Sequence, residues 1–199
     1  MRVLILLSLV LLPGLLGAVP ITYQIDPNHT HPSFEADHFG MSFWRGFFRK
    51  TQGTVLLDTE AGTGVVDIDV DVSSVDFGQE QLNELAVNSA APPIFEATKY
   101  PVAHYHGTLS DFVNGAPTLS SGTLTLHGVS RPITLTINRF RCIPNHPVIK
   151  REVCGADASA ALDRAEFGIT VGKQYGFSMD VNLHIQVEAI RADPRSNPR

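Results

Sequence analysis

The sequence is poor in charge and in cysteine, and it carries none of the short motifs that mark the common catalytic folds. Charged residues make up 18% of the 199, with 15 Lys and Arg against 20 Asp and Glu and a formal net charge of −5. No basic footprint is present, which removes nucleic acid as a partner. There is no glycine-rich phosphate loop, no nucleophile elbow and no His-Glu-x-x-His. Nucleotide hydrolysis, α/β-hydrolase chemistry and zincin chemistry therefore lack their usual signatures. Internal repeats and low-complexity segments are also missing. What is abundant is hydrophobicity: 43% of residues are apolar, enough for a sizeable core in one domain.

One long apolar run exists, and it lies at the start. Met1-Arg2 precedes Val3 to Leu12, Pro13-Gly14 breaks the run, and Leu15-Leu16-Gly17-Ala18 follows. This is the layout of a secretory signal peptide, with cleavage expected after Ala18. The run falls short of the about 20 residues of a comfortable membrane span, and no other stretch could span as a helix. No cysteine stands near the cleavage point, which rules out a lipoprotein anchor. The expected organisation is a signal peptide at 1–18, one folded domain at 19–191 and a flexible tail at 192–199. The mature protein is expected in the periplasm or outside the cell, and not integral to a membrane.

Export gives meaning to the two cysteines, Cys142 and Cys154. An oxidising compartment would pair them. In the chain-entropy model, closing a loop of that size contributes roughly 3 kcal/mol. The other use, a thiolate metal site with His146, lacks a clear fourth ligand.

The remainder alternates with period two. In Val65 to Val75, Val66, Ile68, Val70 and Val72 point one way and Asp67, Asp69 and Asp71 the other. In the last strand Phe177, Met179, Val181, Leu183, Ile185 and Val187 share a face. Leu124, Leu126, Ile133, Leu135 and Ile137 flank a tight His127-Gly128 turn, and Asn114-Gly115 is a second hairpin signal. Gln79 to Ala91 is the one helical stretch, ended by Pro92-Pro93. About eight strands and one short helix make an all-β antiparallel barrel or sandwich. A barrel of that size is either filled by side chains or holds one small ligand.

The three aspartates on one strand face read as a solvated outer surface in preference to a calcium site, which is usually built from loops. His104 and His106 share a face and could ligate a metal, but no matched third ligand is apparent. No convergent acid–base pair is legible, so no catalytic residue is assigned.

The order and spacing of several short motifs resemble the YceI-like, polyisoprenoid-binding family of exported bacterial proteins. They are Tyr23-Gln24-Ile25-Asp26-Pro27-Asn28-His29-Thr30, His38-Phe39-Gly40-Met41-Ser42, Gly46-Phe47-Phe48, Ser73-Ser74-Val75-Asp76, Ala97-Thr98-Lys99-Tyr100-Pro101, the Leu124 to Leu135 hairpin and Arg164-Ala165-Glu166-Phe167-Gly168. The resemblance covers essentially the whole mature chain. It implies a lipocalin-like antiparallel barrel with a helix around a long apolar cavity. It also implies non-covalent binding of a polyprenyl lipid or isoprenoid quinone, with no cofactor and no catalysis, and is compatible with a homodimer. The segment from Leu82 to Pro93 departs from the family's charged helix, so the cover of the cavity mouth is expected to differ. The inward residues expected to line the cavity are Phe34, Phe43, Phe48, Phe95, Phe177, Met179, Val181 and Leu183. Trp44 stands near a turn, and His38, grouped with this lining, has two uses open to it: a hydrogen bond to a quinone or phosphate head group, or one to a neighbouring carbonyl. Two rival readings are a metal-assisted periplasmic enzyme using the histidines and an interaction scaffold that binds no ligand.

Overall fold

The alternating apolar residues form a wall that closes on itself. The structure is a computed structural model and describes residues 19–88 and 93–193. The expected signal peptide and residues 194–199 of the expected tail lie outside the described residues.

The strands are β1 (Ile21–Ile25), β2 (His31–His38), β3 (Ser42–Phe48), β4 (Thr51–Asp58), β5 (Thr63–Asp71), β6 (Val75–Asp76), β7 (Val102–Ser110), β8 (Leu119–Leu126), β9 (Val129–Ile143), β10 (Val153–Asp163) and β11 (Asp180–Arg191), with the helix α1 (Glu80–Asn88) between β6 and β7. All pairings are antiparallel. The order β1-β4-β5-β7-β8-β9-β10-β11 closes through β1–β11 into an eight-stranded barrel, and β2, β3 and β6 extend from β11 as a side ribbon. This is the all-β, lipocalin-like architecture expected from the sequence.

The side ribbon exists because β11 forks. Its first half, from Val181 to Gln186, pairs with β2, and its end, from Ala189 to Arg191, pairs with β1. At the fork Thr30 takes the place of a strand neighbour: its hydroxyl donates to the Glu188 carbonyl (3.1 Å) and accepts from the Glu188 N–H (3.1 Å). The Glu188 N–H and carbonyl therefore keep partners where two strands part.

Two expected strands are shorter than read. The run from Val65 to Val75 breaks at Asp71, whose carboxylate accepts from the Ser73 N–H (2.9 Å) and the Ser73 hydroxyl (2.6 Å). This local bonding winds Val72–Ser74 into a 3₁₀ turn. Phe47 to Leu57, whose sequence reads as one continuing strand with a bend at Gly53, is likewise two strands, broken at Arg49-Lys50, where the Lys50 N–H donates to the Ser74 hydroxyl (3.0 Å) and the Arg49 N–H to the Ser74 carbonyl (3.1 Å).

The hairpin between β8 and β9 turns on His127 (φ 53°) and Gly128 (φ 74°), the twist a two-residue hairpin loop requires. Gly128 also packs against Tyr100, and a Cβ there would fall 2.6 Å from that ring. The helix starts one residue later than read and is described to Asn88. Ala86 and Val87 bury themselves against Val72, Val75, Phe95, Ala97, Ala103 and Ile169. After the segment 89–92, which is not described, the chain turns back: the Phe95 N–H donates to the Ala86 carbonyl (2.9 Å) and the Ala97 N–H to the Val87 carbonyl (3.3 Å). The Ala86 and Val87 carbonyls of the last described turn are thereby satisfied, and α1 caps one end of the barrel.

Candidate functional site

The barrel interior holds a cavity of about 230 Å³. Its wall comes from alternate residues of strands all round the barrel, including Val55, Val66, Ile68, Leu124, Ile133, Leu135, Leu183 and Ile185. No charged side chain lines it. Such a space takes apolar matter and stays dry when empty. Its volume lies below the roughly 300–1,000 Å³ of pockets that hold drug-sized molecules, which favours a slender chain over a bulky ring system.

Glycine at 107 creates part of the interior shape. It faces inward on β7, and the Tyr105 ring lies across the position its side chain would occupy. The Tyr105 hydroxyl thereby reaches β8, donating to the Ser120 carbonyl (3.1 Å) and lying 2.7 Å from Ser120 Oγ.

The two ends of the barrel differ. At the α1 end, Phe48, Val70, Ala103 and Leu126 belong both to the cavity wall and to the core under the helix. At the other end Tyr23, Leu57 and Phe140 separate the cavity from a second hollow of about 410 Å³ that is lined in part by Asp58, Glu60, Arg141 and Glu152. Burial pushes the Tyr23 phenol up to about 12, and the Glu152 carboxylate beside it adds to the shift. The phenol stays neutral at this boundary between apolar and polar space. Between β9 and β10 the ladder runs only from Ile143–Val153 to Thr136–Ser159. Beyond it the wall is held by a link between His127 Nδ1 and the Phe167 carbonyl (3.1 Å).

The residues singled out in the sequence fall into separate places. Phe48 and Leu183 line the cavity. Phe34 and Phe95 stand behind Phe48, with ring centroids 5.7 and 5.8 Å from it, and Phe77 completes this aromatic packing under α1. His38 stacks on Trp44, with centroids 4.2 Å apart and planes inclined at 20°. Phe177 meets the His38 edge at 5.5 Å, so these three form a cluster on the outer ribbon and not in the cavity wall. Phe43 is half-exposed at 50%, and Met179 and Val181 are buried without lining the cavity. The alternation from Phe177 to Leu183 is interrupted because β11 begins only at Asp180. The half-buried Arg164 guanidinium holds the chain before it, donating to the carbonyls of Ile169 (3.1 Å) and Val171 (2.8 Å). The wall residues of β5, β8 and β9 were visible as inward faces, but nothing in the sequence distinguished lining from packing.

The titratable residues are engaged elsewhere. On the outer face His104 Nδ1 lies 2.8 Å from Asp69 and His106 Nδ1 lies 2.9 Å from Asp67. Asp71 takes the Lys50 ammonium at 3.4 Å. The three aspartates thus face water and pair across strands. Among the described residues, the one group of three metal-ligating side chains close enough to share an ion is Cys142, Glu152 and Cys154. Its two sulfurs form a disulfide between directly opposed positions of β9 and β10, so neither is a free thiolate. No helix among the described residues is long and apolar enough to cross a membrane.

Comparison with known proteins agrees with this architecture. The model of the YceI-like domain matches residues 23–189. The UPF0312 protein of Vibrio parahaemolyticus is 30% identical over 180 residues, covering 88% of this chain and 90% of the relative. Protein YceI of Shigella flexneri is 30% identical over 178 residues with the same coverage. Among solved structures, BcnA of Burkholderia cenocepacia superposes with a TM-score of 0.63 at 18% identity, covering 83% of this chain and 99% of BcnA. A polyisoprenoid binding domain from Saccharophagus degradans superposes with a TM-score of 0.61 at 17% identity, covering 86% and 99%.

Proposed function

The chain belongs to the YceI-like family, and on that premise we propose that it binds the hydrocarbon chain of an isoprenoid lipid, a polyprenyl lipid or isoprenoid quinone, inside its barrel. The observation that carries this reading is the cavity: about 230 Å³, lined from all sides by apolar side chains and by no charge. A prenyl chain offers no hydrogen bonds along its length, so its binding is hydrophobic. Each buried methylene contributes roughly 0.8 kcal/mol. Ordering the chain offsets part of that gain. The wall has no group placed to do acid–base or nucleophilic chemistry on a hydrocarbon, so the protein carries or stores its ligand unchanged. The Saccharophagus degradans domain, a polyisoprenoid binding domain by name, supports the choice of ligand class.

We further infer that the protein works outside the cytoplasm, in the periplasm or secreted. The Cys142–Cys154 disulfide supports this, because such bonds persist in oxidising compartments. The apolar run at its start, read as a signal peptide, points the same way.

Titration of delipidated protein with a fluorescent prenyl probe tests the reading. Saturable binding, competed by unlabelled prenyl chains, is expected. A folded, delipidated protein that shows no saturable binding would overturn it.

A further inference from the structure

We propose that the ligand enters and leaves the cavity sideways, through a seam in the barrel wall between β9 and β10, and that His127 is the latch across that seam. The inference rests on the isoprenoid-binding reading and adds the route to the cavity and the residue that controls it.

The barrel wall is not laddered all the way round. Between β9 and β10 the pairing stops at Thr136–Ser159, just past a register shift at Asp157 and Ala158. Beyond that point Ala160 to Asp163 of β10 pair only with β11, and Val129 to Leu135 of β9 only with β8. The free stretch of β10 is roughly 13 Å long at about 3.3 Å per residue. The break is written into the chain. The β8–β9 hairpin closes at the Leu126–Val129 pair, and hydrogen-bonded pairs alternate from there. Pro132, opposite Thr123, therefore turns its main chain away from β8 and toward the seam. Proline has no N–H to give a ladder, and it sits here as it does on edge strands.

Apolar side chains stand on both lips of the seam. Ile133 and Leu135 on β9 and Ala158 and Leu162 on β10 all line the cavity. The other routes are worse for a hydrocarbon. At one end α1 is packed into the core through Ala86 and Val87. At the other, Tyr23 and Leu57 are each 3% exposed and close the way, and the hollow beyond them is bordered by four ionisable groups, Asp58, Glu60, Arg141 and Glu152. The ring of pairings also parts at the fork of β11, but Phe48 closes the wall there with Phe34 and Phe95 packed behind it.

The end of the ladder is reinforced by Asn138, which donates to the Ser159 hydroxyl (2.9 Å). Past it, one hydrogen bond spans the seam among the described residues, from His127 Nδ1 in the β8–β9 turn to the Phe167 carbonyl in the 3₁₀ turn that follows β10. A carbonyl only accepts, so Nδ1 carries the proton. The second ring nitrogen, Nε2, is buried without a hydrogen-bond partner, and the nearest carboxylate oxygen, on Glu96, is 3.6 Å away. The polar tie across the seam is thus a single bond, whereas parting any laddered pair of strands breaks a row of them. The wall opens at least cost between β9 and β10, and His127 sets that cost.

The test is stopped-flow association and dissociation of a fluorescent prenyl probe on wild type and two sets of variants. His127→Asn and His127→Asp both suit the positive φ of this turn before Gly128. Asn keeps an N–H donor for the Phe167 carbonyl, while Asp sets an oxygen against it. His127→Asp should raise both rates by about fivefold to tenfold, the worth of one hydrogen bond, with Kd unchanged. His127→Asn should exchange at the wild-type rate. The second set is a staple: Thr134 and Ala161 are exposed and would face each other if the ladder continued. Joining Thr134→Cys and Ala161→Cys with a short bismaleimide, the native disulfide left oxidised, should slow both rates by about tenfold or more, as a closed gate does. The same double variant left unjoined should exchange like wild type. Rates unchanged in His127→Asp, equal acceleration in His127→Asn, or undiminished exchange in the joined protein would each overturn the latched seam while leaving the lipid cavity standing. Delipidated wild type that takes up no probe would instead overturn the isoprenoid reading itself.

Discussion

A Cβ on Gly107 would fall 2.4 Å from the Tyr105 hydroxyl oxygen, so the side chain that one residue lacks is the space the other fills. The Tyr105 ring lies along the wall because of it, and the centre of the barrel stays open. Gly107→Val should force the ring off the wall and into the cavity, breaking its bonds to Ser120. Overpacking of this kind costs roughly 1–3 kcal/mol of stability. Loss of cavity space should weaken prenyl binding by about tenfold or more, equivalent to about 1.4 kcal/mol. Probe titration alongside circular dichroism separates the lost binding from lost folding.

Thr30 seals the fork in β11 with two hydrogen bonds to Glu188 and is almost fully buried. Thr30→Val keeps the volume but leaves the Glu188 N–H short of its partner, while the Glu188 carbonyl keeps the Asp26 N–H (2.9 Å). A loss of about 1–3 kcal/mol in urea unfolding is expected. Amide exchange should accelerate most at Glu188, where β1 and β2 part.

Asp76 ties the start of the helix segment to the barrel. Its carboxylate accepts from the Gly78 N–H (2.8 Å), from Asn83 (3.0 Å) and from the Arg49 guanidinium. Those bonds, the Gly78 one foremost, hold its carboxyl at about 2. An unfolded aspartate titrates near about 3.9, so the unfolded chain takes up a proton first as pH falls. The linked stability is fully present above about pH 4 and is lost as pH falls through the folded value. Wild type should therefore weaken between these limits, while Asp76→Asn should be weaker at neutral pH and less sensitive across that window, the remaining slope coming from Asp26 and Asp71, whose carboxyls are also held below the usual range. Unfolding midpoints measured from pH 6 to pH 2 check this.

The disulfide joins positions 12 residues apart. The Cys142→Ala, Cys154→Ala double variant should lose about 3 kcal/mol by the loop-closure estimate. Prenyl binding should persist in it, because the rest of the lining is unchanged. Urea unfolding of oxidised wild type, reduced wild type and the variant gives the comparison, with the last two expected to agree.

Much of the barrel was legible because its strands alternate cleanly. Val66, Ile68 and Val70 face in and Asp67 and Asp69 face out, as period two dictates. What escaped depends on contacts distant in sequence. The fork at β11 rests on Thr30 and Glu188, which lie 158 residues apart. Phe177 looked continuous with Met179 and Val181, but the Arg164-bound loop before β11 delivers it to the His38–Trp44 stack. The aromatic residues drew attention as cavity lining by their size. Of those, Phe48 reaches the cavity, while Phe34 and Phe95 pack behind it under α1, and much of the wall is aliphatic.

The central claim is that the cavity is a home for an isoprenoid chain. Mass spectrometry of organic extracts from protein purified without detergent, from cells in which it is naturally made, tests this most directly. The account predicts a prenyl lipid or prenylated quinone in near-stoichiometric amount, reduced in the Gly107→Val variant. Repeated extracts of folded protein free of any prenyl compound would contradict it.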